Sequence, residues 1–451
     1  MSPPVAMLRP PKGVVRLGTA WRRPGTLRHE FNPPSGQRGA AALIVTMVLF
    51  FAMLLAAAFA SRNLVFEQRT STNQYRSTQA FEAAEAGLEW ALVQLNSPQR
   101  MDAACLPTTD TTAPLFRERY LGRPAGSSGF AGTTWTHVGV ATPLQPSCVR
   151  SDAGWTCSCP AQGHPNLVAP ASPGLHPAFT LQFLAGGKPG IVRVVSTGCT
   201  SLAGACVPGA ASATDASARV EVALGLLPAL GTPPAAPLTV RGRVDPGAAL
   251  GVHNPDAASG GIAVHAGAGI TAPQLRVTPP PGSSTADARV GNDASLAALT
   301  PERLFMSYFG LDKAGWKNQP MVRPLSCTGN CGAALLEATN SAGGSPMIWA
   351  NGNLAVDGPV TLGSPQHPVV LVVEGAAQFN GAVRLHGVLY SAAMSWNNTA
   401  TPGALLRGAL ITEGDFQGNG APDLFYDAAV LAVLKGNSGS FARVSGSWRD
   451  F

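Results

Sequence analysis

The chain has 451 residues, enough for two or three domains, and only 12% of them are charged, a low fraction for a cytosolic protein. The formal net charge of +6 lies within residues 1–39, which hold seven basic residues and one acidic residue. The remaining residues are balanced, with 24 basic and 24 acidic side chains. No basic excess is left there to hold a polyanion, so nucleic acid is excluded as a partner.

The first 39 residues form a basic leader. Proline pairs at 3–4, 10–11 and 33–34 disfavour a folded structure in this segment. Basic residues before a membrane segment stay on the cytoplasmic side. We therefore expect the leader to be cytoplasmic and everything after the next segment to be exported.

Residues 40–60 are uncharged over 21 positions, and Thr46 is their one polar side chain. As a helix this run would span about 31 Å, the hydrocarbon thickness of a bilayer. Arg38 before it and Arg62 after it argue against a buried core helix, because both flanks are polar. The run is predicted to be a transmembrane helix.

The helix is expected to continue to about Leu95 and to end at residues 96–98, where Pro98 stops it, so the helical segment is placed at residues 40–97. Apolar residues recur along this polar second half at a spacing that places them on one stripe. The stripe comprises Phe81, Ala84, Leu88, Ala91 and Leu95. We expect it to pack on the protein's own globular domain, and packing on neighbouring subunits is the alternative.

Two features of this helix carry a family resemblance. Arg38 and Gly39 lead straight into the apolar run, and the polar half contains FEAAEAGLE at residues 81–89. This arrangement resembles a type IV prepilin and, within that class, the PilX group of minor pilins. The resemblance implies cleavage between Gly39 and Ala40 by a prepilin peptidase. It also implies other pilins and minor pilins, and an inner-membrane assembly platform, as partners.

All eight cysteines follow the apolar run, as expected for disulfides formed in an oxidising periplasm. Eight cysteines allow 105 pairings, and short loops favour Cys327 with Cys331 and Cys199 with Cys206. A metal site at Cys157 and Cys159 is disfavoured because the spacing is not that of zinc ligands. The disulfide candidates are Cys105, Cys148, Cys157, Cys159, Cys199, Cys206, Cys327 and Cys331.

Residues 98–230 are predicted to form a pilin-like antiparallel β domain, because short alternating and β-branched runs recur at 179–183, 191–195 and 218–224. A proline-rich segment at 231–237 reads as a linker. Beyond it, Thr300 and Gly310 mark the ends of one helix.

Residues 231–451 contain an internal repeat. Glycine pairs six residues apart occur at 352–358, 375–381 and 414–420, and residues 385–391 match residues 406–412 at an offset of 21. A period near 20, made of short β runs and glycine turns, predicts a parallel β-solenoid. Residues 251–269 are candidates for further coils, and an antiparallel sandwich is the alternative fold.

Motifs of common hydrolases and nucleotide-binding sites do not occur, so we predict no catalytic residue, no metal and no cofactor. The alternative is a membrane-anchored β-helix enzyme acting on polysaccharides, which needs two carboxylates on one face. Glu374 and Glu413 are equivalent in the repeat and would stack roughly 9–10 Å apart. A solvated acidic ladder is the simpler interpretation of these carboxylates, which are Asp357, Glu374, Glu413 and Asp415.

The expected fold class is α+β and mostly β: a long pilin helix, a small disulfide-bonded antiparallel domain and a C-terminal β-solenoid. Shaft pilins carry phenylalanine and glutamate where this chain has Ala40 and Ile44. The resemblance therefore implies a non-enzymatic minor pilin at the tip or in an initiating complex, with a surface ligand for the C-terminal domain. A type II secretion pseudopilin is the second alternative. The precursor is expected in the inner membrane, and the mature protein in a surface pilus.

Overall fold

The computed structural model describes residues 38–123, 129–202, 206, 216–247, 249–271, 274–341, 343–397 and 403–451. The chain divides into two compact units, Met1–Arg69 and Thr70–Phe451. The predicted leader lies outside the described residues except for Arg38 and Gly39, which begin the first helix.

The helices are α1 Arg38–Leu95, α2 Phe116–Tyr120, α3 Ala294–Ala297, α4 Pro301–Phe309, α5 Lys313–Lys317, α6 Gly332–Asn340 and α7 Ala428–Gly436. The first strands are β1 Leu121–Gly122, β2 Ala131–Gly132, β3 Thr134–His137, β4 Val140–Pro143, β5 Ser147–Ser151, β6 Gly154–Ser158, β7 Ala178–Ala185, β8 Ile191–Cys199 and β9 Ser217–Pro228. The next are β10 Leu238–Val240, β11 Val244–Pro246, β12 Gly251–His253, β13 Val264–Ala266, β14 Arg276–Thr278, β15 Arg289–Val290, β16 Val322–Leu325, β17 Met347–Ala350, β18 Leu354–Val356 and β19 Val360–Leu362. The last are β20 Val369–Phe379, β21 Val383–Trp396, β22 Leu405–Thr412, β23 Phe416–Gly418, β24 Asp423–Phe425, β25 Gly439–Arg443 and β26 Arg449–Asp450.

The end of α1 packs on an antiparallel sheet with the strand order β25-β9-β8-β7-β5-β6, and β26 also pairs with β9. Ala84, Leu88, Ala91 and Leu95 are buried in one cluster with inward-facing side chains of the sheet, and Phe81 packs at its margin. The predicted stripe is therefore confirmed. Its partner in these turns is the protein's own domain, because the strands alternate apolar and polar residues and offer one apolar face.

Two glycines let α1 and the sheet approach closely. A Cβ atom on Gly198 of β8 would lie 2.1 Å from the backbone oxygen of Ala80 and 2.4 Å from the backbone nitrogen of Ala84. A Cβ atom on Gly87 of α1 would lie 2.3 Å from Oγ of Ser196. The helix thus rests on strand backbone at this crossing, and a side chain there would push the two apart.

The C-terminal region is built on a sheet of 15 strands in which every described strand pair is parallel. Paired residues such as Val388 and Ala409 lie roughly 20 residues apart in the sequence, as the repeat predicts. The pairings fall into three rows. The long strands β20 and β22 each take part in two of these rows, and β21 takes part in all three. Parallel pairing rules out the antiparallel sandwich alternative for this region.

The order in which the coils stack differs from their order in the chain. Along one row the strands run β15-β13-β10-β22-β21-β20-β17-β16. The candidate coils at 251–269 are therefore real, but they continue the stack beyond the last coil of the repeat rather than preceding the first. We call the contact of β10, β11 and β12 with β22, β23 and β24 the joint.

Helices cover the solenoid on one side and at one end. The predicted caps of α4 are confirmed, because Oγ1 of Thr300 accepts a hydrogen bond from the Arg303 nitrogen and Gly310 is left-handed. Phe305 and Phe309 pack with Trp349 and Tyr390 on the outer side of the row that runs from β15 to β16. Leu335 of α6 lies in the solenoid core, beside the end strands β16 and β19.

The last strands leave the solenoid. Although residues 231–451 were expected as one solenoid domain, β25 and β26 pair with β9 of the antiparallel sheet. Asn96, just after α1, donates from Nδ2 to the Phe441 oxygen and accepts from the Phe441 nitrogen. The strands that follow the solenoid in the sequence therefore complete the antiparallel sheet that the strands before it begin.

We expect Gly198→Ala to lower the free energy of unfolding by about 1–3 kcal/mol, because the new methyl group overlaps the backbone of α1. Thermal unfolding of the full chain, followed by circular dichroism, measures this loss. The matched control is Gly225→Ala on β9 of the same sheet, where the nearest atom to an added Cβ is 3.5 Å away. Equal losses in both variants would contradict the close crossing of helix and sheet.

Candidate functional site

The first part of α1 exposes apolar side chains on every side. Phe50 is 65% exposed, and Leu43, Phe51, Met53 and Phe59 are similarly exposed, within the unit that ends at Arg69. Among the described residues, α1 is long and apolar enough to cross a membrane. Such a surface is stable only in lipid or against other apolar helices.

The polar groups within this apolar surface are satisfied by the helix itself. Oγ1 of Thr46 donates to the Leu43 oxygen at 2.9 Å, and Oγ of Ser61 donates to the Ala58 oxygen at 2.9 Å. Ile44 is exposed like its neighbours, and the first carboxylate after Gly39 in the sequence is Glu67. The segment therefore enters an apolar environment without an unpaired polar side chain.

The predicted processing residues Gly39 and Ala40 both lie in the first turn of α1. The eight cysteines form four pairs, Cys105 with Cys159, Cys148 with Cys157, Cys199 with Cys206, and Cys327 with Cys331. The two short loops favoured from the sequence are among these pairs. Because Cys157 and Cys159 are each bonded to another cysteine, neither offers a thiolate to a metal ion.

The four candidate carboxylates have separate partners. The Asp357 carboxylate accepts from Nδ2 of Asn380, and the Asp415 carboxylate accepts from the Arg243 nitrogen at 2.7 Å. Glu374 accepts from the Gly352 nitrogen at 3.3 Å. Each of these three bonds links neighbouring coils, which is a structural role.

Glu413 is buried, in contrast to the solvated position expected for it. Its Oε1 atom lies 2.5 Å from Nζ of Lys313 and 2.8 Å from the hydroxyl of Tyr390. Burial and the Glu413 carboxylate raise the pKa of Tyr390, so this hydroxyl stays protonated and donates. The carboxylate thereby ties α5 to the face of the solenoid. Nothing in the repeat shows this contact, because Lys313 lies outside the repeat.

A ladder of amide side chains runs along one corner of the coils. Nδ2 of Asn380 donates to the Asp357 carboxylate at 2.6 Å, and Nδ2 of Asn397 donates to Oδ1 of Asn380 at 3.2 Å. Oδ1 of Asn397 accepts from the Asn419 nitrogen at 3.4 Å. A sequence signal was present, because Asp357, Asn380 and Asn419 each precede the second glycine of a repeat pair.

A hydroxyl, an imidazole and a carboxylate meet at the joint. Nδ1 of His253 lies 2.8 Å from Oγ1 of Thr278, and its Nε2 lies 3.2 Å from Oδ1 of Asp423. Arg276 donates to the same carboxylate oxygen at 2.9 Å, and the His253 ring stacks on Phe425. Since these residues come from β24, β12 and β14, the cluster bonds coils that are far apart in the sequence.

Four large aromatic residues of the C-terminal region, Trp349, Tyr390, Trp396 and Trp448, do not line a shared exposed groove. Trp349, Tyr390 and Trp396 are at most 2% exposed and belong to the buried clusters. Trp448 is 45% exposed and packs edge-on against Phe81 of α1. Core packing therefore explains three of the four.

Comparison with known proteins gives one family match. Residues 38–89 match the family model described as PilX N-terminal. No curated protein matches the chain significantly. Among solved structures, the chain is similar to the crystal structure of the competence-associated pilin ComZ from Thermus thermophilus, with 12% identity and a TM-score of 0.24, covering 83% of this chain and 97% of that one.

We expect Lys313→Met to lower the free energy of unfolding by roughly 2–4 kcal/mol, because the buried Glu413 carboxylate would lose its counter-ion. Chemical denaturation of the full chain measures the loss. The control is Arg276→Met, which breaks an exposed ion pair with Asp423 and should cost at most about 1 kcal/mol. An equal cost in the two variants would mean that the Lys313 pair is not a buried anchor.

Proposed function

We propose that the chain is a minor pilin acting in type IV pilus assembly, because residues 38–89 match the family model described as PilX N-terminal. The observation that carries the proposal is the matched helix with its exposed apolar residues at 41–60. In a filament these residues would pack among the apolar helices of neighbouring pilins. The role is structural and non-enzymatic.

The basic leader and the cysteines indicate how the precursor is inserted in the membrane and processed. The basic leader holds the N-terminus of the precursor in the cytoplasm, and α1 anchors it in the inner membrane. A prepilin peptidase then cuts between Gly39 and Ala40, and the assembly platform extracts the mature chain from the membrane. The four disulfides form in the oxidising compartment that receives residues after the membrane segment.

The apolar residue Ile44 favours a position at the tip of the filament or in the complex that initiates it. A carboxylate in an apolar helix bundle is tolerable only when it is paired, for instance with the terminal amine of a neighbouring subunit. The apolar Ile44 neither needs nor offers such a pair. A subunit with no neighbour beyond it fits this chemistry.

The solenoid is the part proposed to contact a surface ligand. Gln378, Ser395 and Gln417 are paired in register on adjacent strands, so their uncharged polar side chains form an outward row. Two side-chain amides with a hydroxyl between them, each about 4.8 Å from the next, suit the hydroxyl groups of a glycan. Binding of the full chain to a glycan array, compared with a Gln378→Ala and Gln417→Ala double variant, tests this adhesive role.

Deleting the gene in the source organism should reduce the number of surface pili, and the protein should co-purify with sheared pili. Electron microscopy and immunoblotting measure these outcomes, and re-expression from a plasmid is the control. Normal pili with impaired protein secretion would instead favour a type II secretion pseudopilin. Unchanged pilus number, adhesion and motility would overturn the assembly role.

For the tip position, we expect Ile44→Glu to lower the amount of protein in sheared pili at least several-fold. The new carboxylate would enter the apolar bundle without a subunit beyond it to supply a positive charge. Immunoblots of sheared pili, normalised to membrane precursor, give the measurement, and Ile44→Val is the matched control. Increased incorporation of the glutamate variant would instead indicate a position within the shaft.

A further inference from the structure

A cavity of about 260 Å³ lies between α2, the end of α7 and β25. Its apolar lining includes Leu115, Phe130, Met321 and Phe441. Neither pilus assembly nor the packing of the solenoid coils requires this space. The cavity therefore needs an explanation of its own.

Arg117 brings a positive charge to the cavity. Its Nε and Nη2 atoms donate to the Leu95 oxygen at 3.1 and 2.8 Å, and Nη2 also donates to the Gly439 oxygen at 2.8 Å. Among the described residues, no carboxylate pairs with this guanidinium. Burial lowers the pKa of Arg117 to about 10, which leaves it charged at neutral pH.

Ser438 adds an unused hydrogen-bonding group. Its side chain is 2% exposed, and its Oγ atom has no hydrogen-bond partner among the residues that the structure describes. A buried hydroxyl without a partner is costly, so a ligand atom that bonds to it would bind favourably.

The other charged groups leave the cavity favourable to an anion. Arg123 lines it and donates to the Gly436 oxygen. Glu118 also lines it, and its Oε2 atom accepts from the Leu115 nitrogen at 3.0 Å. Two arginines and one carboxylate that is already bonded favour a negatively charged ligand over a positive one.

We propose that this cavity binds a small carboxylate with an apolar body of about one aromatic ring and a short chain. The carboxylate would pair with Arg117 and accept from the Ser438 hydroxyl, and the apolar body would lie against Phe130 and Phe441. The volume fits this size, because an apolar cavity of about 150 Å³ holds benzene. The site does not depend on the pilin role, so it can be tested separately.

The test uses the full chain in phosphatidylcholine nanodiscs and isothermal titration calorimetry, with empty nanodiscs as the blank. The probes are 3-phenylpropanoate, the neutral 3-phenylpropan-1-ol and the cationic 3-phenylpropylamine, which share one apolar body. We expect the carboxylate to bind at least tenfold more tightly than either analogue, because only it pairs with the guanidinium.

Three variants locate the binding. Val433→Trp should fill the cavity and abolish binding while leaving the thermal midpoint unchanged or higher. Arg117→Gln should weaken the carboxylate at least tenfold and leave the alcohol unchanged, provided that circular dichroism shows a folded chain. Arg276→Gln removes an exposed arginine outside the cavity and should change nothing.

Each outcome decides a separate part of the proposal. Equal affinity for the carboxylate and the alcohol would overturn the carboxylate class. Undiminished binding in Val433→Trp would overturn the location, and absence of binding by all three probes would overturn the site. If Arg117→Gln does not fold, the three probes and Val433→Trp still give the answer.

Discussion

A helix that is apolar around its whole circumference must be removed from water, and residues 40–60 impose this constraint on everything else. At about 25 cal/mol per Å² of apolar surface, the exposed phenylalanines, leucines and methionines make an aqueous state of this segment untenable. Lipid and a bundle of similar helices are two environments that satisfy it. The same helix then changes character, because from Ala84 to Leu95 it buries one stripe on its own sheet. One uninterrupted helix thus exposes an apolar surface at its start and packs into a folded domain at its end.

The domain at the end of the helix is held by residues that come from both before and after the solenoid in the sequence. Arg117 donates to the last carbonyl of α1 and to Gly439 of β25, and Asn96 bonds to Phe441 of the same strand. The solenoid is therefore an insertion between β9 and β25, with its entry and exit fixed on one sheet. This arrangement holds a large region on a small domain, because the strands that lead into and out of the solenoid pair with each other and Ala229 and Leu230, which follow β9, are buried.

The sequence predicts features that repeat or that follow one helical face. The stripe of α1, the caps of α4 and the parallel coils are of this kind, since each depends on local spacing. The order in which the coils stack does not depend on local spacing. A repeat period shows which strands are equivalent, but it does not show which strands pair with each other. The burial of Glu413 was missed for a related reason. Its partner Lys313 belongs to a helix between two halves of the solenoid, and no periodic pattern links the two.

The joint makes closure of the solenoid a late event in folding. Leu238 pairs with Leu410, which lies more than 170 residues later in the sequence, and β9 pairs with β25 near the chain end. Loop-closure entropy opposes such pairings until the intervening coils are formed. Three of the four disulfides close loops of at most nine residues, so they can form earlier. The cross-links can therefore fix local turns early in folding, while the His253 and Asp423 cluster can form only when the last coil docks on the first. Thr278, His253 and Asp423 have the side chains of a catalytic triad, but their position at the joint gives them a structural role, because they hold the two halves of the stack together.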